Sequence, residues 1–278
     1  HLQDSMQSLS EQLSKSILKK NGRILLRHKA IKLKHINSSI PWSVEITTTN
    51  QKRLELKAND IIFSLPPQNL LNLMSIKNGM PKSYRKRLER LSRPSGALVF
   101  YGAIKRLLTT KVIPPHIQIL TEEFGSLFIS ISQEGDGRAP TGEATVIASA
   151  FTNTKSWISL TPELYQNKKE IVLRKMILEL NKYLKVNNDM WLHKELATPK
   201  SFAFWTGRSN GIVGGLGQNP SNFGIFGLAS RTPIQGLWLC GDSIHPGEGT
   251  AGVSQSALMV VRQLMQTKGR SLNLPVFN

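Results

Sequence analysis

Hydrophobic residues recur along this chain with two different periods. Met6, Leu9, Leu13 and Ile17 lie at helical spacing. They predict a helix over 6–18, with Ser5 as its N-cap and Asn21-Gly22 as its stop. Residues 23–36 read as a strand, with Ile24 and Leu26 alternating; further strands are expected over 43–49 and 53–56. Residues 60–65 (Asp-Ile-Ile-Phe-Ser-Leu) form a short apolar run stopped by Pro66-Pro67, the pattern of a buried strand.

Beyond Pro67 the pattern becomes helical and basic over 68–93; between Lys77 and Arg93 there are seven Lys/Arg and one acid, Glu89. Strands follow at 96–104, 126–132 and 144–151, the last two joined by a Gly-, Asp- and Pro-containing turn over 133–142. Leu173, Met176, Ile177, Leu180 and Leu184 mark one stripe of an amphipathic helix over 170–184. Glycine-rich loops occupy 207–227. The apolar run Leu237-Trp238-Leu239-Cys240 predicts a buried strand, and a helix from Val253 to about Gln266 is apolar nearly all round, which suggests burial. The pattern as a whole is α/β (α+β).

Composition narrows the class. Of 278 residues, 40% are hydrophobic and 19% charged, the balance of a globular protein with a sizeable core. A single cysteine, Cys240, excludes an intrachain disulfide, and its place in an apolar strand suggests inert packing. The longest clean apolar runs, such as 96–104, fall far short of the roughly 20 residues of a spanning helix. Net charge is +18, which favours anionic partners. Nucleic acid is not expected: no fold signature for it is present, and aromatics are not interleaved with the basic run. An anionic membrane surface facing residues 82–93 is the alternative.

The chemistry is concentrated near the end of the chain. The strand at 237–240 runs into Gly241-Asp242-Ser243-Ile244-His245-Pro246-Gly247-Glu248-Gly249-Thr250-Ala251-Gly252, and a helix follows. A glycine-rich loop feeding a helix N-terminus suits an anion, because the first backbone N–H groups point outward and the helix dipole is positive there. Asp242 can accept hydrogen bonds from ligand hydroxyls. Gly247, Gly249 and Gly252 spell a literal GxGxxG, but it trails the strand by several residues and no acid follows Glu248. The spacing of a dinucleotide fingerprint is therefore absent. Asp242, His245 and Glu248 crowd one loop without helical spacing, so no metal is expected. No Ser/His/Asp order or GxSxG elbow is present.

The stretch from Leu237 to Ala257 resembles the C-terminal flavin motif of the amine-oxidase-like flavoproteins. Its Gly-Asp…Pro-Gly-x-Gly pattern is most similar to the carotenoid desaturase and isomerase branch, with the desaturases the nearest likeness. Other stretches fall in the order of that branch: residues 5–9, Ala30, residues 60–66, and the aromatic and glycine-rich stretch from Thr198-Pro199 to Gly215. The resemblance implies FAD as cofactor, bound by a Rossmann-like domain that is interrupted by a substrate domain of mixed sheet and helices. The FAD parts would be 1–66 and 206–278, and the substrate domain 67–205.

The same resemblance assigns roles. The backbone of Ala30 would meet the adenine. Asp242 would hold the ribityl or pyrophosphate region, with Gly241, Gly249, Thr250, Ala251, Gly252 and Val253 around it. His245 would be a candidate at the flavin face, and Phe202, Phe204 and Trp205 would line a substrate channel. The family opens with a strand–GxGxxG–helix that this sequence does not show, so the chain is expected to be the C-terminal part of a longer enzyme. The implied reaction is hydride transfer from a carotenoid to flavin, creating a C=C bond, at the cytoplasmic side of a membrane held peripherally. Carotenoid isomerisation, amine oxidation and a non-catalytic membrane-surface module are the alternatives; oligomeric state is left open.

Overall fold

A computed structural model describes residues 6–36, 38–91, 95–106, 114–217, 220–222 and 224–273. In chain order the elements are α1 (Met6–Lys19), β1 (His28–His35), β2 (Trp42–Thr48), β3 (Arg53–Ala58), β4 (Ile61–Phe63), α2 (Leu70–Leu73), α3 (Lys82–Arg90), β5 (Gly96–Lys105), β6 (His116–Thr121), β7 (Gly125–Ile131) and β8 (Glu143–Thr152). Then come α4 (Lys155–Ile158), α5 (Pro162–Leu184), β9 (Trp191–Ala197), α6 (Pro199–Thr206), β10 (Leu237–Leu239) and α7 (Gly249–Thr267). Two compact units result, one from 1–25 with 95–211 and one from 26–94 with 212–278. Chain crossings between units thus fall at 25/26, 94/95 and 211/212.

The first unit is built on a five-stranded sheet of order β6-β7-β8-β5-β9. A mixed sheet was expected here; all four pairings are antiparallel. Strict alternation of buried and more exposed residues along β5 and β8 gives the sheet one buried face. Phe100, Leu127, Ile129, Val146 and Leu196 fill it. Gly102 is required in β5 because a Cβ there would strike the rings of Phe100 and Trp191. Helix α5 covers this face with Met176, Ile177, Leu180 and Leu184. It begins eight residues before the expected start, because Thr161 accepts the Leu164 N–H as N-cap and Pro162 pre-sets the first turn. Lys185 ends it in a left-handed conformation (φ 55°).

The second unit holds a three-stranded antiparallel sheet, β1-β2-β3, and a parallel pair, β10-β4. Its core joins Leu33, Trp42, Phe63, Leu70, Met74, Leu88, Leu237 and Leu239. The indole N–H of Trp42 donates to the Gln235 carbonyl at 3.2 Å, tying the sheet to the segment before β10.

Several expectations need correction. The first strand begins at His28, not at 23, because Asn21 (φ 59°) and Arg27 (φ 58°) adopt left-handed backbone and interrupt extension. The basic helical stretch after Pro67 is broken into short pieces, stopped by Gly79 at φ 99° and by Pro81. Strand β4 is buried only at Phe63, and Ile62 is 45% exposed. Helix α7 starts at Gly249 and is not buried: Ser256 and Val260 alone are enclosed, whereas Leu258 and Val261 face outward. Strands β6 and β9 were not anticipated, since β6 is half-exposed along its length and β9 carries four consecutive exposed residues. The Ser5 cap and Arg93 lie outside the described residues.

Candidate functional site

Strands β4 and β10 run parallel in the register Ile61–Leu237, Ile62–Trp238, Phe63–Leu239. The Cys240 N–H extends the ladder by donating to the Phe63 carbonyl at 3.1 Å. Both carboxyl ends therefore open on the same side, the position at which parallel sheets bind ligands. The loop from Gly241 to Glu248 leaves from that edge and turns directly into α7. Gly241 lies at φ 108°, and a Cβ on it would approach the Ser64 carbonyl oxygen at 3.2 Å. Backbone of the two strand exits is thus in close contact.

Three further residues fix the loop. The Gly241 N–H donates to Ser256 Oγ at 2.8 Å, and that hydroxyl faces the carbonyls of Val253 and Gly241 at 3.0 and 3.3 Å. Gly215 (φ 74°) lies against the Asp242 carbonyl so closely that a Cβ would overlap it. Gly214 lies against the carboxylate of Glu248. None of Ser256, Gly214 and Gly215 was identified as a site residue from sequence. A serine inside an apolar helix and a Gly-Gly pair were the available signals.

A narrow pocket with a free volume of about 30 Å³ opens beside the loop, lined by Leu216, Asn222, Gly224, Asp242, Ser243 and His245 among others. Ser243 Oγ donates to Asp242 Oδ1 at 3.3 Å. Asp242 is half-buried and His245 exposed; the His245–Pro246 peptide is cis. Glu248, the N-cap of α7, makes no side-chain capping bond, so its side chain leaves the first-turn N–H groups of Gly249, Thr250 and Ala251 uncapped. Gly249 has open space where its Cβ would stand. An anionic group thus finds uncapped donors, a helix of 19 residues behind them, and room to approach. Burial pushes the Cys240 thiol up from its ordinary value, in keeping with an inert thiol.

The remaining candidates are dispersed. Ala30 is half-buried in β1, beside the bulge between Ala30 and Lys32. Phe202, Phe204 and Trp205 belong to α6, in the other unit; Phe204 and Trp205 are 77% and 81% exposed and pack edge to face on each other. Among the described residues no group of three His, Cys, Asp or Glu side chains could hold a metal ion.

No protein-family profile matches the chain. Over 158 residues it is 30% identical to a chloroplastic prolycopene isomerase of an Oncidium hybrid cultivar, a match covering 56% of this chain and 27% of that protein. The Arabidopsis thaliana prolycopene isomerase is 29% identical over 163 residues, again 56% of this chain and 27% of the relative. The chain resembles the carotenoid isomerases. Its fold is shared with larger oxidoreductases: an oxidoreductase from Methanosarcina mazei aligns with TM-score 0.60 at 17% identity, covering 90% of this chain and 52% of that one. A putrescine oxidase double mutant aligns with TM-score 0.61 at 14% identity, covering 96% and 54%. The chain therefore spans about half the length of these structures, and its match to the curated relatives spans about a quarter of theirs.

Proposed function

We propose that this chain is part of an FAD-dependent enzyme that modifies a carotenoid. The observation that carries the reading is the β10–loop–α7 unit, with a carboxylate at the strand exit and an uncapped helix N-terminus behind it. These residues fit FAD. Asp242 accepts from ribityl hydroxyls, while the N–H groups of Gly249, Thr250 and Ala251 at the start of α7 face the pyrophosphate region, with Gly252 and Val253 following in the same turn. Ala30 is the candidate for adenine contact, and His245 for the flavin face. Bound there, FAD supplies a two-electron centre able to accept or return hydride. The protein's own work is to hold Asp242, to keep the helix N-terminus open and to exclude water beside a substrate without polar handles.

Isomerisation of a polyene double bond is the favoured reaction, supported by the identity to the prolycopene isomerases. Desaturation is the second reading, supported by the likeness of residues 237–257 to the desaturase flavin motif. Either substrate is lipid-soluble, and peripheral attachment to an anionic membrane belongs to the same reading. No helix among the described residues is long and apolar enough to cross a membrane. Phe202, Phe204 and Trp205 are proposed for the substrate path.

The complete protein carrying this sequence would be expressed in a host that accumulates poly-cis carotenoids, and the pigments separated by HPLC with mass detection. An all-trans product of unchanged mass supports isomerisation. A product lighter by two hydrogens supports desaturation. Unchanged pigment with flavin-loaded protein present rejects both. Asp242→Ala is expected to lower the flavin content of the purified protein.

A further inference from the structure

The second unit carries a cationic cleft that the flavin loop does not use. Ser83, Lys86, Arg87 and Arg90 recur three or four positions apart on α3 and share one face. They line a cleft of about 440 Å³ together with Leu91, Ser221, Asn222 and Phe226. No acid lines it. The helix's one acid, Glu89, is paired with Arg85 at 2.9 Å. The opposite face of α3 buries Tyr84 and Leu88, so the cationic face is held outward by the core.

An apolar tip stands at the rim of this cleft. Ile225 is 92% exposed and Phe226 61% exposed. The two are consecutive in sequence and give the rim an exposed apolar edge beside the cationic face. The tip is held by its own turn and by α3. Gly224 turns at φ 61°, the Gly227 N–H donates to the Gly224 carbonyl at 3.0 Å, and the Arg87 guanidinium donates to the carbonyls of Phe226 and Gly227 at 3.3 and 3.1 Å. Arg87 thus fixes the tip to the cationic face. Asn222 lines both this cleft and the pocket beside Asp242.

We propose that this surface is the membrane-docking site of the protein: Lys86, Arg87 and Arg90 take the phosphate of an anionic phospholipid headgroup, and Ile225 and Phe226 insert beside it at the acyl boundary. Charge complementarity selects the occupant, because a cleft with three cations, no acid and an adjacent apolar wedge matches a headgroup on a hydrocarbon layer, and a soluble phosphate would leave the wedge in water. The inference rests on the membrane part of the function proposed above and specifies where attachment occurs.

Co-sedimentation with phosphatidylcholine vesicles, with and without phosphatidylglycerol, tests it on the complete protein. Wild type is expected to bind the anionic vesicles and to lose binding as salt is raised. Lys86→Glu with Arg90→Glu should weaken that binding about tenfold or more, while Lys29→Glu with Lys57→Glu, an equal charge change on exposed strand residues, should weaken it much less. Ile225→Ser with Phe226→Ser should weaken binding at every lipid composition. Matching thermal melts show that the variants remain folded. In a second readout, Phe226→Trp should add fluorescence quenching by brominated lipid beyond that of wild type. Equal loss in the two charge pairs, or no added quenching, overturns the assignment while leaving the membrane reading intact. Binding to neither vesicle overturns both, and leaves the flavin and carotenoid chemistry to the pigment assay. Displacement by inorganic phosphate together with indifference to Ile225→Ser/Phe226→Ser would show a soluble-anion site instead.

Discussion

Ser256, two turns inside α7, holds the backbone of Gly241 at the exit of β10: the Gly241 N–H reaches its Oγ at 2.8 Å, and the serine is fully enclosed. The two residues are 15 positions apart and bracket the whole Asp242–Glu248 loop and the first two turns of α7. The clamp sets where Asp242 leaves the strand and where α7 begins. Loop geometry therefore depends on a side chain that touches neither the pocket nor a ligand-facing amide.

Ser256→Ala removes this acceptor and leaves the N–H of half-buried Gly241 without it. Such an orphaned group costs about 1–3 kcal/mol. The expected outcome is a lower denaturation midpoint with unchanged m-value, and weaker flavin retention in the complete protein. Urea unfolding followed by tryptophan fluorescence measures the first effect. A midpoint equal to wild type would show that the clamp is dispensable.

Gly215→Ala is expected to be worse. The residue has φ 74°, a region costly for alanine, and the added Cβ would overlap the Asp242 carbonyl. Backbone on one side must shift. Destabilisation above about 2 kcal/mol is expected, with Gly207→Ala as a comparison. Gly207 also has positive φ (68°) but open space around its Cβ, so it isolates the conformational part from the clash. Equal effects at the two positions would remove the clash from the account.

How far the sequence revealed this site depends on which interactions are local. The strand at 237–239, the acid after it and the glycine-rich entry into a helix are contiguous, and all were legible. The helix stripe at 173–184 was legible because its period is set by one buried sheet. Ser256, Gly214 and Gly215 were not identified as loop-fixing residues, because their roles come from contacts across the fold. The burial expected for α7 failed for a related reason. Apolar content says that a face can be covered, and among the described residues Leu258 and Val261 stay exposed. Strand β9 escaped notice because Leu192, His193, Lys194 and Glu195 are all exposed and carry no two-residue alternation.

Acid should weaken the turn between β7 and β8. Asp136 accepts the Arg138 side chain at 2.6 and 2.8 Å and the backbone N–H groups of Gln133 and Arg138 at 2.7 and 3.0 Å. The Arg138 guanidinium, first among these, holds the carboxyl down to about 2 from 3.8. A carboxylate depressed in the folded state stabilises above its unfolded value, and that contribution fades as pH falls from about 4 towards 2. Arg138→Gln should flatten this part of the pH–stability curve. NMR titration of Asp136 reads the same group directly, and an ordinary midpoint would contradict the geometry.

Alkali should act on the other unit through Tyr84. Its ring is buried on the inner face of α3, and burial raises the phenol from 10.0 to about 12, with the Arg87 charge opposing weakly. The folded state then keeps its proton where the unfolded chain releases it. Stability from this group is complete below pH 10 and is lost as pH climbs towards 12. Tyr84→Phe retains the packed ring and removes the titration. The variant should melt like wild type near neutrality and resist better above pH 10, the two curves separating only there. The comparison also bears on the proposed docking face, because Tyr84 anchors the helix whose outer side presents Lys86, Arg87 and Arg90. Loss of that anchor in alkali should release vesicle-bound wild type earlier than the phenylalanine variant.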